Sequence, residues 1–170
     1  RIEGGKVVES DRDRCGVASL RPEDYPGELR AIRDRFGDQV VVMAGMVGST
    51  IGWRDVPYAW APATLGDLAD RALWIDARTA ILPGISVDDG KRADVMRGEE
   101  IQIFGAIAAG SAGPDAYFCQ PGTHCKWVKA EAGRIVRLRT AMTGEMFALL
   151  KAHALIGREM EGEAGDDADF

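Results

Sequence analysis

The chain contains few of the residues that build disulfide or metal frameworks. Its 170 residues include three cysteines, Cys15, Cys119 and Cys125, and only two histidines. Three cysteines are too few, and odd in number, for the disulfide framework of a small secreted domain. Reduced thiols in a cytosolic protein are the simpler interpretation, so we expect a cytoplasmic location.

Long apolar runs and basic runs are absent as well. No apolar stretch approaches the ~18 residues that a membrane-spanning helix requires, and no signal peptide is visible. The 27 acidic residues outnumber the 21 basic ones, and the net charge of -6 repels a polyphosphate backbone. The sequence therefore argues against membrane and nucleic-acid partners, although a local pocket can still bind a small phosphorylated ligand.

The chain does have enough apolar sequence for a core. Hydrophobic residues make up 46% and charged residues 28% of the sequence, as in ordinary globular domains. A domain of this length buries roughly two-thirds of the surface that its unfolded chain exposes. The chain begins at Arg1 without a methionine and stops at GDDADF without a clear helix stop, so we expect a fragment.

Strand-like and helical patterns alternate along the first half of the chain. Gly4-Gly5 predicts a hairpin, and the helix that follows is predicted to end at Gly37. DQVVVMAGM then predicts a fully buried strand, because its consecutive apolar residues leave no polar face. A short helix capped by Thr64 and a strand ending at Pro83-Gly84 come next. This order favours an α/β fold with parallel strand pairing.

The second half changes character after GSAGPD, residues 110–115, which we interpret as a domain boundary. Before it, RGEEIQIFGAIAAG predicts the strongest helix of the chain. The apolar stripe of this helix is predicted to consist of Ile101, Phe104, Ile107 and Ala108. After the boundary, alternation predicts two strands joined by a turn at Gly133, and a last helix with Thr143 as its N-cap.

The stretch FCQPGTHCKWV, residues 118–128, places small and polar residues between two β-prone flanks. Gly122 lets backbone N–H groups approach an oxyanion, and Thr123 adds a hydroxyl donor. Lys126 would add a positive charge. A turn of this kind can hold a phosphate group. Pro-Gly is also ordinary turn chemistry, so the residues alone leave a plain structural turn open.

Two other chemistries in this stretch have less support. Cys119, His124 and Cys125 lack the spacing and the fourth ligand of a structural zinc site, and His153 has no ligand-like partner. A nucleophilic Cys125 would need a histidine base and an orienting group, which the sequence does not reveal. We therefore predict no metal site held by the protein.

Two acidic residues, Glu99 and Glu100, open the strongest predicted helix, directly after Arg97 and Gly98. The N-terminal turn of a helix carries partial positive charge, which stabilises carboxylates there. The simplest interpretation is that both acids complement the helix dipole at the surface. The alternative is that one of them accepts a proton from a substrate hydroxyl.

A glycine-rich loop, MVGSTIGWR at residues 46–54, follows the predicted buried strand. Such loops at the carboxyl ends of parallel strands are frequent ligand sites. Arg54 can pair with a carboxylate, and Trp53 can cover the apolar edge of a sugar chain. An ordinary surface loop whose tryptophan packs on the core fits the same residues.

Five strings together resemble the 2-dehydro-3-deoxygalactonokinase family: VVMAGMVGSTIGW, ILPGIS, DVMRGEEIQIFGA, PGTHCKWV and RTAMTGEMFALLKAHALIG, which span most of residues 40–157. The resemblance implies the actin, hexokinase and heat-shock-protein ATPase fold, an α/β (ribonuclease H-like) architecture. Residues 1–112 would form a sugar-acid-binding domain that lacks its first strand, and residues 113–170 the start of an ATP-binding domain.

The resemblance also implies an activity and its main groups. The γ-phosphoryl of ATP would pass to the 6-hydroxyl of 2-dehydro-3-deoxy-D-galactonate in galactonate catabolism, with Mg²⁺ bridging ATP oxygens. Sugar kinases of this superfamily bind ATP phosphates at a glycine-threonine turn in the first hairpin of the second domain. Here that turn corresponds to Gly122, Thr123 and His124, with Lys126 assisting.

The same superfamily places a catalytic carboxylate at the start of the helix before that hairpin. Glu99 is the first choice for this base. The spacing is one residue short of the glycerol-kinase pattern and Glu replaces Asp, so Glu100 and Asp94 remain alternatives. The loop after the central strand resembles the substrate-facing loop. The candidates for sugar-acid binding are Gly48, Ser49, Trp53, Arg54 and Arg97.

The chain departs from the family at both ends. The family's N-terminal Asp-x-Gly-Ser/Thr-Thr turn and the half that carries the adenosine pocket are missing from the 170 residues, so we expect these residues alone to be inactive. The partners expected are a sugar acid and ATP, and for assembly we consider a homodimer. A non-catalytic sugar-acid-binding regulator on the same fold is the alternative, and a hydrolase using Cys125 and His124 is a third hypothesis.

Overall fold

A computed structural model describes residues 1–13 and 15–159 of the chain. Arg14 and residues 160–170, which include the terminal GDDADF, lie outside the described residues. The α-helices of the described part are α1 (Tyr25–Phe36), α2 (Leu65–Asp70), α3 (Glu99–Ala108) and α4 (Thr143–His153). Among these residues, no helix has the length and apolar character needed to cross a membrane.

The strands form one hairpin and three small sheets. The hairpin consists of β1 (Ile2–Glu3) and β2 (Lys6–Val7). The other strands are β3 (Val41–Met43), β4 (Ala59–Trp60), β5 (Leu73–Asp76), β6 (Thr79–Ile81), β7 (Ile85–Asp88), β8 (Ala93–Met96), β9 (Ala116–Gln120), β10 (Cys125–Glu131) and β11 (Arg134–Ala141). Their sheet orders are β3-β6-β5, β4-β7-β8 and β11-β10-β9.

Parallel pairing occurs twice, between β3 and β6 and between β4 and β7, whereas the other strand pairs described are antiparallel. Strand β6 ends just before Pro83-Gly84, as predicted, and β7 begins after it. The fold is therefore mixed α/β with several sheets, and the predicted parallel pairing is confirmed for two strand pairs.

Local signals account for most element ends. Gly4 and Gly5 have φ of 54° and 76° in the predicted hairpin, and Gly37 caps α1 at φ 87°. Thr64 and Asp67 form a capping box on α2: the Asp67 N–H donates to Thr64 Oγ1 (3.1 Å), and the Thr64 N–H donates to Asp67 Oδ2 (2.7 Å). These predictions are confirmed because they depend only on neighbouring residues.

The predicted N-cap of the last helix is wrong by one residue. Thr143 is the first residue of α4, and Met142 occupies the cap position without a side-chain cap hydrogen bond. The reason lies across the fold, because the Glu145 N–H of the first turn donates to the Thr123 carbonyl (3.0 Å). A distant backbone acceptor thus satisfies one of the N–H groups that a capping side chain would otherwise serve.

The predicted buried strand DQVVVMAGM is shorter and more exposed than expected. Only Val41–Met43 form β3, and Val40 and Val42 are each 59% exposed. Val41 and Met43 pack against the smaller of two hydrophobic clusters, whereas the opposite face of β3 has no covering element among the described residues.

The predicted stripe of helix α3 is confirmed at Phe104, which is buried, and at Ile101 and Ile107, which pack against the core. Glu100, Ile103 and Phe104 are at most 5% exposed, and Ile101 and Ile107 lie at the margin. Ala108 is exposed, so its predicted place in the stripe is wrong. The buried face follows the i, i+3, i+4 spacing from Glu100, a residue that a hydrophobic pattern cannot select.

The second half forms a three-stranded meander rather than the two predicted strands. The turn at Gly133 (φ 72°) between β10 and β11 is confirmed. The segment 121–124 divides the first predicted strand into β9 and β10, which pair with each other antiparallel. This division leaves the segment as a projecting turn.

Two hydrophobic clusters hold the elements together. The larger cluster combines residues on both sides of 110–115: Ala59, Ala63, Leu68, Ile85, Val87, Met96, Ile103, Phe104, Val128, Ile135 and Leu138. The smaller one consists of Tyr25, Leu29, Trp53, Val56 and Ile81. Because α3 and the meander share a core, the start of α3 and the 121–124 turn have a fixed spatial relation. The domain boundary near 112 stays a prediction.

Candidate functional site

A cleft of about 430 Å³ opens between the start of α3 and the 121–124 turn. It brings together side chains that the sequence analysis singled out separately: Arg97, Glu99, Gly122, Thr123, His124 and Lys126. Met46, from the glycine-rich loop, also reaches its wall. The predicted carboxylate and the predicted phosphate turn therefore face one space.

Glu99 is half-buried at the first position of α3. Its Oε2 accepts a hydrogen bond from the Arg97 backbone N–H (3.0 Å), which orients the carboxylate next to the cleft. Gly98 precedes it with φ 111°, a conformation that other residues rarely adopt. A Cβ at Gly98 would also lie 3.1 Å from the Gly45 Cα, so glycine is needed for the close approach of two loops.

Glu100 has quite different surroundings although it is the next residue. Its side chain is fully buried. Both carboxylate oxygens accept a hydrogen bond from the Gly98 N–H, each at 2.8 Å. Burial raises the pKa of Glu100 to about 7 despite that hydrogen bond. Glu100 does not line the cleft. The two neighbouring carboxylates thus differ in environment, one facing the cleft and the other the core.

Asp94, the third carboxylate considered, links two sheets. Its Oδ2 accepts from the Thr140 N–H (2.7 Å) and its Oδ1 from the Thr140 hydroxyl (2.6 Å). Oδ1 also accepts from the Val95 N–H (2.8 Å). The carboxylate of Asp94 therefore joins β8 to β11, and it is absent from the wall of the cleft.

Lys126 is almost buried, at 8% exposure, and lines the same cleft. Its Nζ donates to the Val95 carbonyl (2.6 Å) and to Thr140 Oγ1 (2.8 Å). An ammonium group has three N–H donors, and these two bonds occupy two of them. Lys126 thus places a fixed positive charge at the cleft while it ties β10 to β8.

The 121–124 turn rests against the start of α4. His124 Nε2 lies 2.7 Å from Glu145 Oε2, and the Glu145 N–H donates to the Thr123 carbonyl. A Cβ on Gly144 would lie only 2.4 Å from the Gly122 oxygen, so the helix approaches the turn backbone to backbone. The partial positive charge of a helix N-terminus therefore lies behind the turn, as an anion-binding loop would use it.

Arg97 has a guanidinium group with unpaired donors. Nη2 donates to the Val56 carbonyl (2.9 Å), and the guanidinium carbon lies 4.2 Å from the centre of the Tyr58 ring. Nε and Nη1 are buried, and neither has an acceptor within the described part of the chain. Unpaired buried donors are costly, so the geometry fits an acceptor supplied from outside these residues.

The glycine-rich loop 46–54 reaches the site only through its first half. Gly48 is buried, and a Cβ there would lie 3.0 Å from Arg97 Nη1. Ser49 donates its hydroxyl to the Met46 carbonyl (2.7 Å) within the loop. Trp53 is 5% exposed and stacks on Tyr25 at 5.5 Å, while Arg54 Nη1 donates to the Trp53 carbonyl (3.4 Å).

For Trp53, the structure matches the interpretation of a tryptophan packed on the core. Ser49, Trp53 and Arg54 are not in the wall of the cleft. Their roles in sugar-acid binding stay predictions.

Several cleft residues were missed by the sequence analysis. Tyr58 lies under the Arg97 guanidinium. Across the cleft, Gln120 Nε2 donates a hydrogen bond to Gln102 Oε1 (3.1 Å). Gln102 follows Glu99 by three residues on α3, so helical periodicity could have identified it. Tyr58 carries no comparable signal, because its approach to Arg97 depends on tertiary structure.

Metal ligation has no ready donor set in the described chain. No group of three or more His, Cys, Asp or Glu side chains there is arranged to hold a metal ion. Cys119 and Cys125 are close together, but the ring of His124 is hydrogen-bonded to Glu145.

Comparisons with known proteins agree on one family. A family model described as 2-keto-3-deoxy-galactonokinase matches residues 1–170. The 2-dehydro-3-deoxygalactonokinase of Escherichia coli (strain K12) is 38% identical over 157 residues, which cover 91% of this chain and 53% of that protein. A probable 2-dehydro-3-deoxygalactonokinase of Rhizobium meliloti (strain 1021) is 40% identical over 161 residues, covering 91% and 52%.

The fold also matches a solved structure. A crystal structure of a Sinorhizobium meliloti protein assigned as a 2-dehydro-3-deoxygalactonokinase superposes with a TM-score of 0.85 at 32% identity, covering 99% of this chain and 58% of that one. The chain spans about half the length of the curated relatives it matches. On the family match over its whole length, the chain belongs to the 2-keto-3-deoxy-galactonokinase family.

Proposed function

We propose that this chain is part of an ATP-dependent kinase that phosphorylates 2-dehydro-3-deoxy-D-galactonate on its 6-hydroxyl, in galactonate degradation. The observation that carries the proposal is the cleft that Glu99 shares with the Gly122–Thr123 turn and Lys126. The names of the relatives support the substrate. We also propose the actin-like ATPase fold and a cytoplasmic location.

In the proposed reaction, Glu99 is the base. Its carboxylate faces the cleft and is oriented by the Arg97 N–H, so it can accept the proton of a substrate hydroxyl held there. A positioned base contributes typically ~10²–10⁴-fold to the rate. Glu100 is buried away from the cleft, and the oxygens of Asp94 are occupied by Thr140 and Val95, so we favour Glu99 over both.

The opposite wall of the cleft would hold the phosphates. Gly122 offers its backbone without a side chain, Thr123 adds a hydroxyl, and Lys126 presents an ammonium group fixed by two hydrogen bonds. When bound, ATP supplies the phosphoryl group and carries Mg²⁺ on its own oxygens. Phosphoryl transfer depends mainly on such positioning and on neutralisation of charge.

The sugar-acid carboxylate has one charged candidate in this part of the chain. Arg97 lines the cleft, and its buried Nε and Nη1 have no acceptor among the described residues; Nη1 lies next to Gly48. A guanidinium group binds carboxylates with two parallel hydrogen bonds where geometry allows. We propose that Arg97 orients the acid so that its far hydroxyl reaches Glu99.

The test uses the full-length gene product in a coupled assay of ADP release with MgATP and 2-dehydro-3-deoxy-D-galactonate. Glu99→Gln is expected to lower kcat at least ~10²-fold while sugar-acid affinity stays nearly unchanged, because only the proton acceptor is lost. Glu100→Gln is the matched variant and is expected to retain most of the rate.

If Glu99→Gln keeps full activity and Glu100→Gln loses it, Glu100 and not Glu99 is the base. No turnover by the unmodified protein, despite tight binding of the sugar acid, would favour a binding protein over a kinase.

A further inference from the structure

Two thiols meet at the base of the 121–124 turn. Cys119 at the end of β9 and Cys125 at the start of β10 have their sulfurs 3.6 Å apart, with both thiols free. Cys119 is exposed, whereas Cys125 is 5% exposed. Sulfurs in van der Waals contact on neighbouring strands need little movement to bond, since the S–S bond length is about 2.05 Å.

We propose that Cys119 and Cys125 form a redox modification site, which a low-molecular-weight disulfide such as glutathione disulfide converts to an intramolecular disulfide. The accessible Cys119 thiolate attacks the reagent, forms a mixed disulfide and releases one glutathione thiolate. The Cys125 thiolate then attacks the Cys119 sulfur and expels the second glutathione. The protein loses two protons and two electrons, and one glutathione disulfide becomes two glutathione thiols.

The geometry divides the roles between the two cysteines. The reagent can reach only an exposed thiol first, and Cys125 is adjacent and shielded, as a resolving thiol should be. Partial desolvation by the surrounding residues and the hydrogen bond to Cys125 raise the pKa of the Cys119 thiol. The thiolate is therefore scarce at neutral pH, and we expect oxidation to be slow there and faster at mildly alkaline pH.

The bond would act on the phosphate turn because the turn is held on two sides. Gln120 bonds Gln102 of α3, and the Thr123 carbonyl accepts from Glu145 of α4. The sulfurs must approach by roughly 1.5 Å to bond, and part of that movement falls on the short turn that joins the two cysteines. On the proposed function, oxidation is expected to weaken MgATP binding at least ~10-fold, as misplacements of about 1 Å can do.

The experiment treats the reduced full-length protein with glutathione disulfide at mildly alkaline pH, followed by tryptic mapping. Both cysteines lie in one tryptic peptide, residues 98–126, because no Lys or Arg separates them. The expected result is a peptide lighter by two hydrogen atoms, reversed by a reducing agent. Cys119→Ser and Cys125→Ser should each abolish this change, and Cys15→Ser, at an exposed distant thiol, should preserve it.

A lasting glutathione adduct on Cys119, or a bridge to Cys15, would overturn the proposed disulfide. The effect on ligand binding is measured separately, as MgATP affinity of reduced and oxidised protein, with Cys119→Ser as the control that should not respond. An unchanged affinity in the bridged protein would overturn the link to the turn. Absence of MgATP binding in the reduced protein would instead count against the proposed function, whatever the peptide mass shows.

Discussion

Replacing Glu100 by glutamine should change how stability depends on pH. The carboxyl of Glu100 is fully buried, and burial raises its pKa from the usual 4.5 to about 7. Between these two values the folded chain keeps a proton that the unfolded chain releases. Stability from this group is therefore complete below about pH 4.5 and is lost as the pH rises through 7.

The size of the effect follows from the difference between the two pKa values of Glu100. That difference corresponds to roughly 3 kcal/mol of unfolding free energy, since each pKa unit is worth 1.36 kcal/mol. Glutamine is neutral at every pH and can accept the same Gly98 N–H, so Glu100→Gln should lose this pH dependence. The variant should become more stable than the unmodified protein at mildly alkaline pH.

The measurement is urea unfolding of both proteins from about pH 5 to about pH 8, with the free energy of unfolding extrapolated to water. Glu99→Gln, one residue away and half-buried, is the matched control and should keep most of the slope. Asp89 does not interfere, because its hydrogen bond to Arg139 holds its pKa at about 2 and its contribution is lost only at lower pH. Parallel curves for Glu100→Gln and the unmodified protein would refute the reasoning.

Three further predictions use substitutions at the turn and at the junction of two sheets. Gly144→Ala places a Cβ 2.4 Å from the Gly122 oxygen and should lower the free energy of unfolding by ~1–3 kcal/mol. Gly105→Ala, where the new Cβ meets open space, should instead stabilise α3 by about 1 kcal/mol. Equal shifts in the melting temperatures of the two variants would contradict this. Asp94→Asn should cost ~1.5–3 kcal/mol. In a double-mutant cycle with Thr140→Val, which also removes an acceptor of Lys126, the combined loss should be smaller than the sum of the single losses; strictly additive losses would argue against the Asp94–Thr140 bonds. Gly122→Val should leave the stability of the fold nearly unchanged, since a Cβ there meets nothing nearer than 3.8 Å. The same variant should weaken MgATP binding several-fold. Unaltered MgATP binding would show that the turn is not part of the proposed phosphate site.

Features decided by neighbouring residues could be predicted from the sequence. The Gly4-Gly5 hairpin, the Gly37 cap and the Thr64 capping box each depend on a few adjacent residues, and all three are found. The exposure of Val42 could not be predicted, because an apolar run does not reveal whether a second layer covers it. The burial of Glu100 could not be predicted either, because hydrophobic periodicity assigns acidic residues to the solvent face of a helix.

The candidate site divides in the same way. Residue chemistry indicates Glu99 or Glu100 and the Gly122–Thr123 turn, and the resemblance implies their roles, but no spacing in the sequence indicates that Glu99 and the turn share a cleft. Their proximity comes from packing of α3 and the meander around one core. Tyr58 lines the cleft and contacts Arg97, and tertiary structure alone creates both relations.

Asp94 and Lys126 join β8 to the meander through side chains. Among the described strands, β8 forms no backbone ladder with the meander, although an isolated bridge links Ala63 to Ile135 elsewhere. A ladder fixes strand spacing at one value, about 4.8 Å, for any sequence. A side-chain link instead has the length of the residue that makes it. Strand β8 ends three residues before Glu99, so these two links lie close to the start of α3, which the shared core holds in place. Asp94→Glu would lengthen one link by a methylene group, which makes this junction a place where the contact between β8 and the meander can be altered without a change of fold.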